Sequence, residues 1–322
     1  MGNSISIGAF GLTAITALTA LGLVALTGAV NERVLASGGE SANDTEAAHV
    51  TVDTEQVLRP IPPNLFSTGK YTTDPVLQKW AQEAGFALVR VDVLLDAVEP
   101  VNDDDDSQHF NWAGFQWGDN AAQYGANLDE VVQQMVAHGH KPLLILHRTQ
   151  PWNGDGTWQS VPRDPEEWAE AAAATVYHFN KELGYGIQYW EIWNEPDVRG
   201  EFRGSLGQYL EMARVAARRM KEIDPTIKVG GPVWSHADLS VMRQVIQQAW
   251  DVFDFYSWHA YGTGGEESER LSDADILAEV ESKYGRFARS LRQMVERYDQ
   301  SGRPKEIAIT EFNIDWAETQ RG

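Results

Sequence analysis

From about residue 60 onward, short apolar runs take turns with longer stretches in which apolar positions recur every three or four residues. The short runs predict strands at 87–95 (ALVRVDVLL), 141–147 (KPLLILH), 187–195 (IQYWEIWNE), 227–233 (IKVGGPV), 254–262 (DFYSWHAYG) and 306–313 (EIAITEFN). A first strand is predicted at 64–71 (NLFSTGKY), and an extra strand at 49–58 lies in the lead-in 48–63. The longer stretches predict helices at 74–85, 128–139, 164–184, 205–224, 239–250 and 276–299. Gly139 stops the second, and Asp164 with Pro165 opens the third.

Strand and helix therefore alternate, and the strands are apolar on both faces, which is the pattern of a parallel sheet covered by crossover helices. Seven strands fit either an open doubly wound sheet or a (β/α)8 TIM barrel. No Gly-rich phosphate loop follows any strand, so the nucleotide-binding version has little support. The chain stops at Gly322, just past the seventh strand. A complete barrel needs an eighth, so the expectation for 64–322 is an incomplete TIM barrel, either a fragment of a longer protein or a truncated product.

Composition narrows the partners. A net charge of −21 repels nucleic acid and anionic lipid. The absence of cysteine removes thiol nucleophiles, disulfides and cysteine metal sites. Residues 5–30 hold no charged side chain and are long enough to span a bilayer, so 1–30 reads as a signal peptide or membrane anchor, followed by a polar linker at 31–47. The expected location is extracellular, or membrane-anchored facing outside the cytoplasm.

In a barrel, chemistry gathers where strands end at their C-terminal side. The second strand holds Arg90 and Asp92, the third ends at His147 and Arg148, and the fourth at Asn194 and Glu195. Trp234 follows the fifth, His259 and Tyr261 end the sixth, and Glu311 and Asn313 end the seventh. Facing carboxyls on the fourth and seventh strands are what glycoside hydrolysis needs, one protonated to assist the leaving oxygen and one ionised to attack. Asn194 offers a neutral donor for a sugar hydroxyl, and Pro196 ends the strand. The bland alternative is an ion pair of these glutamates with Arg90 or Arg148. Among 12 tryptophans, Trp152, Trp158, Trp234, Trp258 and Trp316 follow or end strands and could cover the apolar face of a sugar. The acidic run at 102–108 lacks the spacing of a calcium loop, and His138-Gly139-His140 precedes a strand, away from the site, so no metal or other cofactor is expected.

W-N-E-P at 193–196 and I-T-E-F-N at 309–313 resemble the clan A retaining glycoside hydrolases, and the two segments are most similar to glycoside hydrolase family 39, the β-xylosidase and α-L-iduronidase family. The resemblance implies that Glu195 is the acid/base, Glu311 the nucleophile and Asn194 the ligand of the sugar 2-hydroxyl. It implies supporting roles around the nucleophile for Arg90, His259 and Tyr261. His147, Trp152, Trp234, Asn313 and Trp316 are further candidate substrate contacts. The expected partner is a glycoside or an oligo- or polysaccharide, with a neutral β-glycoside such as a xyloside favoured. Arg148, Arg199 and Arg203 would be the cations to meet a uronic acid. Three other readings stand beside this one: a non-catalytic carbohydrate-binding relic, an endo-acting glucanase or mannanase of the same clan, and a metal-dependent barrel hydrolase. The last would want histidines on the first strand, which has none.

Overall fold

Residues apolar on both faces of a strand must be covered on both faces, and the sheet obeys this. The computed structural model describes residues 64–316, apart from 66, 70, 72, 73, 103, 105 and 265–269. Seven parallel strands pair strictly in chain order: β1 (Ser67–Thr68), β2 (Leu88–Leu94), β3 (Lys141–His147), β4 (Tyr189–Ile192), β5 (Lys228–Trp234), β6 (Phe255–Thr263) and β7 (Glu306–Asp315). The helices between them are α1 (Pro75–Glu83), α2 (Leu128–Ala137), α3 (Pro165–Tyr177), α4 (Leu206–Ile223), α5 (Leu239–Ala249), α6 (Asp273–Glu281) and α7 (Phe287–Tyr298). This is the expected incomplete TIM barrel: among the described residues β1 and β7 are the two edges of the sheet. The chain divides into two units, 1–66 and 67–322, and nearly all described residues belong to the second.

Strand periodicity sorts side chains between two cores. Val89, Val91 and Val93 of β2, Leu144 and Leu146 of β3, and Trp190 and Ile192 of β4 face the helices, where they join Trp168, Tyr209, Met212, Met242 and Leu291 in one large cluster. The opposite face holds a much smaller cluster of Leu143, Ile145, Tyr189 and Phe255, with Leu88 and Ala308 against it. That small cluster floors the inside of the barrel. A Cβ at Gly230 would sit 2.0 Å from the Phe255 ring, so glycine there makes room for it. Side-chain oxygens of Asp74, Asn127, Asp164, Ser205, Asp238 and Ser272 cap the helix N-termini, satisfying backbone N–H groups that have no partner within the helix.

The structure differs from the sequence pattern at four places. The first strand shrinks to two residues. The helix read over 164–184 turns π-helical at His178–Glu182. The helix read over 276–299 is interrupted by a π-helical turn, Ser282–Arg286, whose Tyr284 donates to the carbonyls of Ala260 and Asn313 and so fastens the helix to β6 and β7. β4 ends at Ile192, three residues short of Glu195. The segments 1–30, 31–47 and 48–63, with their expected leader or anchor, linker and extra strand, lie outside the described residues. Among the described residues no helix is long and apolar enough to cross a membrane.

Candidate active site

Above the apolar floor the inside of the barrel becomes polar. Arg90 lies on β2, and its buried guanidinium is divided three ways. Nε donates to Glu191 Oε2 at 2.8 Å, Nη1 to Glu311 Oε1 at 2.6 Å and Nη2 to Asn194 Oδ1 at 3.0 Å. Glu191, wholly buried on β4, is the rear anchor of this fork. Three directed N–H bonds at fixed angles are what the planar guanidinium offers here and an ammonium does not.

Glu311 has both oxygens occupied. Oε1 takes the Arg90 bond, Oε2 accepts from the Tyr261 hydroxyl at 2.7 Å, and His259 Nδ1 stands 3.6 Å from Oε2. Burial alone would raise the carboxyl's pKa. The electrostatic effects of His259 and of the Arg90 guanidinium, with the two hydrogen bonds, outweigh it and hold Glu311 below the usual carboxylate range. The Tyr261 hydroxyl is in turn pushed well up by burial and by Glu311, so it remains a donor.

Glu195 is held differently. Its Oε1 lies 2.7 Å from Nδ1 of the fully buried His259. The backbone around it is strained, with positive φ at Trp193 (68°), Glu195 (46°) and Val233 (55°), a region that costs a non-glycine residue about 1 kcal/mol or more. The Glu195 N–H donates to the Val233 carbonyl at 3.1 Å, joining the loop after β4 to β5. Asp197 reinforces that joint by accepting from Ser235 N at 3.0 Å and standing 3.1 Å from His236 Nδ1. Burial would raise the Asp197 pKa, but the bonds from His236 and Ser235 lower it below the ordinary range.

An oxygen of Glu195, an oxygen of Glu311 and a ring nitrogen of His259 all lie within 4.8 Å of one another. Three such donors could hold a divalent ion, but the Arg90 cation already occupies Glu311 and would repel one. The arrangement suits proton and carboxylate chemistry instead: one carboxylate fixed as an anion, and a second close by.

The sequence-derived residues divide into those the fold brings together and those it does not. Glu195, Glu311, Asn194, Arg90, His259 and Tyr261 form the connected group above. His147 is buried at the end of β3, edge-on to Trp158 and Trp193, with Nε2 3.2 Å from Glu201 Oε2. Trp234 is buried at the end of β5. Trp152 gives its indole N–H to the Glu99 carbonyl at 3.1 Å. Trp316 is exposed beyond β7 and packs over Gly264. Asn313 is exposed on β7, and its Oδ1 accepts from the next residue's backbone, Ile314 N, at 2.8 Å. Trp258 faces the helices against Phe287 and has no access to the inside of the barrel. Glu191 and Glu201 were not singled out from sequence. The signal for Glu191 was its parity with Tyr189, which places it on the inner face of β4.

The family model for glycosyl hydrolases family 39 matches residues 67–321. A β-xylosidase of Caldicellulosiruptor saccharolyticus is 24% identical over 200 residues, covering 58% of this chain and 40% of that protein. A β-xylosidase of Geobacillus stearothermophilus is 34% identical over 108 residues, covering 31% of this chain and 21% of the relative. In three dimensions the chain is similar to a monomeric β-xylosidase from Caulobacter crescentus CB15, with a TM-score of 0.58 and 21% identity over 79% of this chain and 53% of that one. The chain thus spans about half the length of that solved relative and less of the other two.

Proposed function

The chain belongs to glycosyl hydrolases family 39, and on that premise we propose that it hydrolyses β-glycosides of neutral sugars, xylosides first among them, with retention of configuration. Glu311 attacks the anomeric carbon while Glu195 protonates the departing oxygen, leaving a covalent glycosyl–enzyme. Glu195 then takes a proton from water, which attacks the same carbon and frees Glu311. The observation that carries this reading is the pair of carboxyl oxygens within 4.8 Å, of which one belongs to a carboxylate saturated by Arg90 and Tyr261. Retaining enzymes keep their carboxyls about 5 Å apart, whereas inverting ones need room for a water between them. His259 beside Glu195 is placed to take part in its proton exchange. Asn194, oriented by Arg90, keeps its amide N–H groups for a sugar hydroxyl. The relatives named β-xylosidase support the choice of sugar.

The test is turnover of aryl β-glycosides, the xyloside included, by the wild-type chain and by Glu311→Ala. Expected is a loss larger than the general-acid range, more than about 10⁴-fold, with azide restoring turnover and giving a glycosyl azide of inverted configuration. Wild-type-like rates in the variant would remove Glu311 from the reaction. The apolar run 5–30 further leads us to place the protein outside the cytoplasm, secreted or anchored. Recovery of the native protein wholly in the cytoplasmic fraction would overturn that placement.

A further inference from the structure

Asp92 is a carboxyl on the inner face of the sheet that the mechanism leaves idle. It lies two residues beyond Arg90 on the same face of β2, about 7 Å nearer the rim. Its backbone pairs with that of Ile145, whose side chain belongs to the inner cluster. The residue is only 9% exposed, yet its carboxyl makes no hydrogen bond among the described residues. Buried carboxyls without donors are costly, and a native structure normally supplies them with one. On the adjacent strand His147 is 6% exposed, and its Nε2 likewise has no hydrogen bond in line, although Glu201 is near. Asp92 shares the inner face of β2 with Arg90, which binds Glu311 at 2.6 Å, so it borders the same pocket as the nucleophile.

We propose that Asp92 is a specificity-determining residue that accepts a hydrogen bond from a hydroxyl of the sugar seated between Glu195 and Glu311, and that it thereby selects neutral glycosides over those of uronic acids. This rests on the glycosidase reading above. A hydroxyl both donates and accepts, so one group can satisfy Asp92 and His147 together. A sugar carboxylate can only accept when ionised, and it would join Asp92, Glu195, Glu201 and Glu311 in one pocket. Of the cations that might offset it, Arg90 is committed to its three partners, Arg148 to Asp96 at 3.2 Å and Arg203 toward Asp155 and Thr157, which leaves the exposed Arg199 in the loop beyond β4. Burial raises the pKa of Asp92, as expected of a carboxyl waiting for a donor.

The experiment compares kcat/KM of wild type and Asp92→Asn on an aryl β-xyloside, its 3-deoxy and 4-deoxy analogues and the aryl β-glucuronide, with Glu311→Ala in parallel. Wild type should lose about 10- to 100-fold on one of the two deoxy analogues, the cost of leaving a buried polar group unpaired. Asp92→Asn should lose a similar factor on the parent xyloside, lose little more on that deoxy analogue, and narrow the xyloside-to-glucuronide ratio. Equal deoxy penalties in wild type and Asp92→Asn, or an unchanged ratio, would overturn the inference while leaving the glycosidase reading intact. That reading fails separately if Glu311→Ala keeps wild-type turnover. Should Asp92→Asn not fold, the wild-type measurements still decide: comparable rates on xyloside and glucuronide, or no deoxy penalty at either position, would overturn the assignment of Asp92.

Discussion

The ends of β4 and β7 each present a glutamate to the same small space, and they hold it in opposite ways. At the β7 end Glu311 sits within the strand, just past a shift in register with β6, with a guanidinium on one oxygen and a tyrosine hydroxyl on the other. At the β4 end Glu195 stands beyond the strand on strained backbone, with its side-chain bond shared with a histidine. Fixed donors stabilise an anion and lower its pKa, as at Glu311, and the proposed mechanism gives that end the attack and the other the proton transfer. Two identical side chains thus acquire different chemistry from their surroundings alone.

Replacing the exchangeable member is the strongest way to break this comparison. Glu195→Gln keeps size and polarity but removes the proton. On a glycoside with a poor leaving alcohol it should cost about 10²–10⁴-fold in kcat/KM. With a nitrophenol leaving group, which departs without protonation, the loss in the first step should nearly vanish. Pre-steady-state kinetics on the two substrates would check this. Equal losses on both would mean that Glu195 is not the acid, and the asymmetry of the two ends would then lack a chemical meaning.

A smaller change sharpens the other side. Tyr261→Phe takes one of the two donors from Glu311. Hydrogen bonds to a charged group are worth about 1.5–3 kcal/mol, so the ionised form loses support and the Glu311 pKa rises from its lowered value. On the proposed mechanism Glu311 attacks as the anion, so the acid limb of the kcat/KM profile should move to higher pH. The rate at neutral pH should fall about tenfold or more. An unmoved acid limb would show that Tyr261 does not set the charge of Glu311.

Much of this was legible in the sequence, and what was not has physical causes. The strand order and the pairing of Glu195 with Glu311 followed from apolar runs that end in polar residues. The exit of β4 did not, because I-W-N-E continues an alternating pattern while positive φ at Trp193 and Glu195 breaks the strand. Pattern records which residues are buried, not where a barrel rim bends the backbone. Glu191 lay inside a run read for its apolar content, and only strand parity, applied from Tyr189, places it on the inner face; Asp92 was legible beside Arg90, whose face of β2 it shares. The same parity separates His259 from Trp258, its neighbour, which faces the helices.

The smallest effect separates charge that serves the site from charge that serves the fold. His178, in the π-helical turn after α3, has Nδ1 2.8 Å from Glu182 and Nε2 2.7 Å from Asp129, and its ring stacks on Trp117 with centroids 4.0 Å apart. Burial would lower its pKa, but the bonds to Asp129 and Glu182 raise it above 6.5. A raised pKa in the folded state means stability that is full below the unfolded value and is lost as pH rises through the folded one. Both acids are about half exposed, with side chains at 45% and 56%, so solvent screening keeps the contribution under about 1 kcal/mol. The melting temperature should therefore slip as pH rises past 6.5 toward the folded pKa, and His178→Gln should flatten that slope. The acid limb of kcat/KM should stay where it is, because it belongs to Glu311. If His178→Gln moved the limb and left the melting slope unchanged, fold and site would share one set of charges, and the contrast between the two strand ends could not be read from kinetics alone.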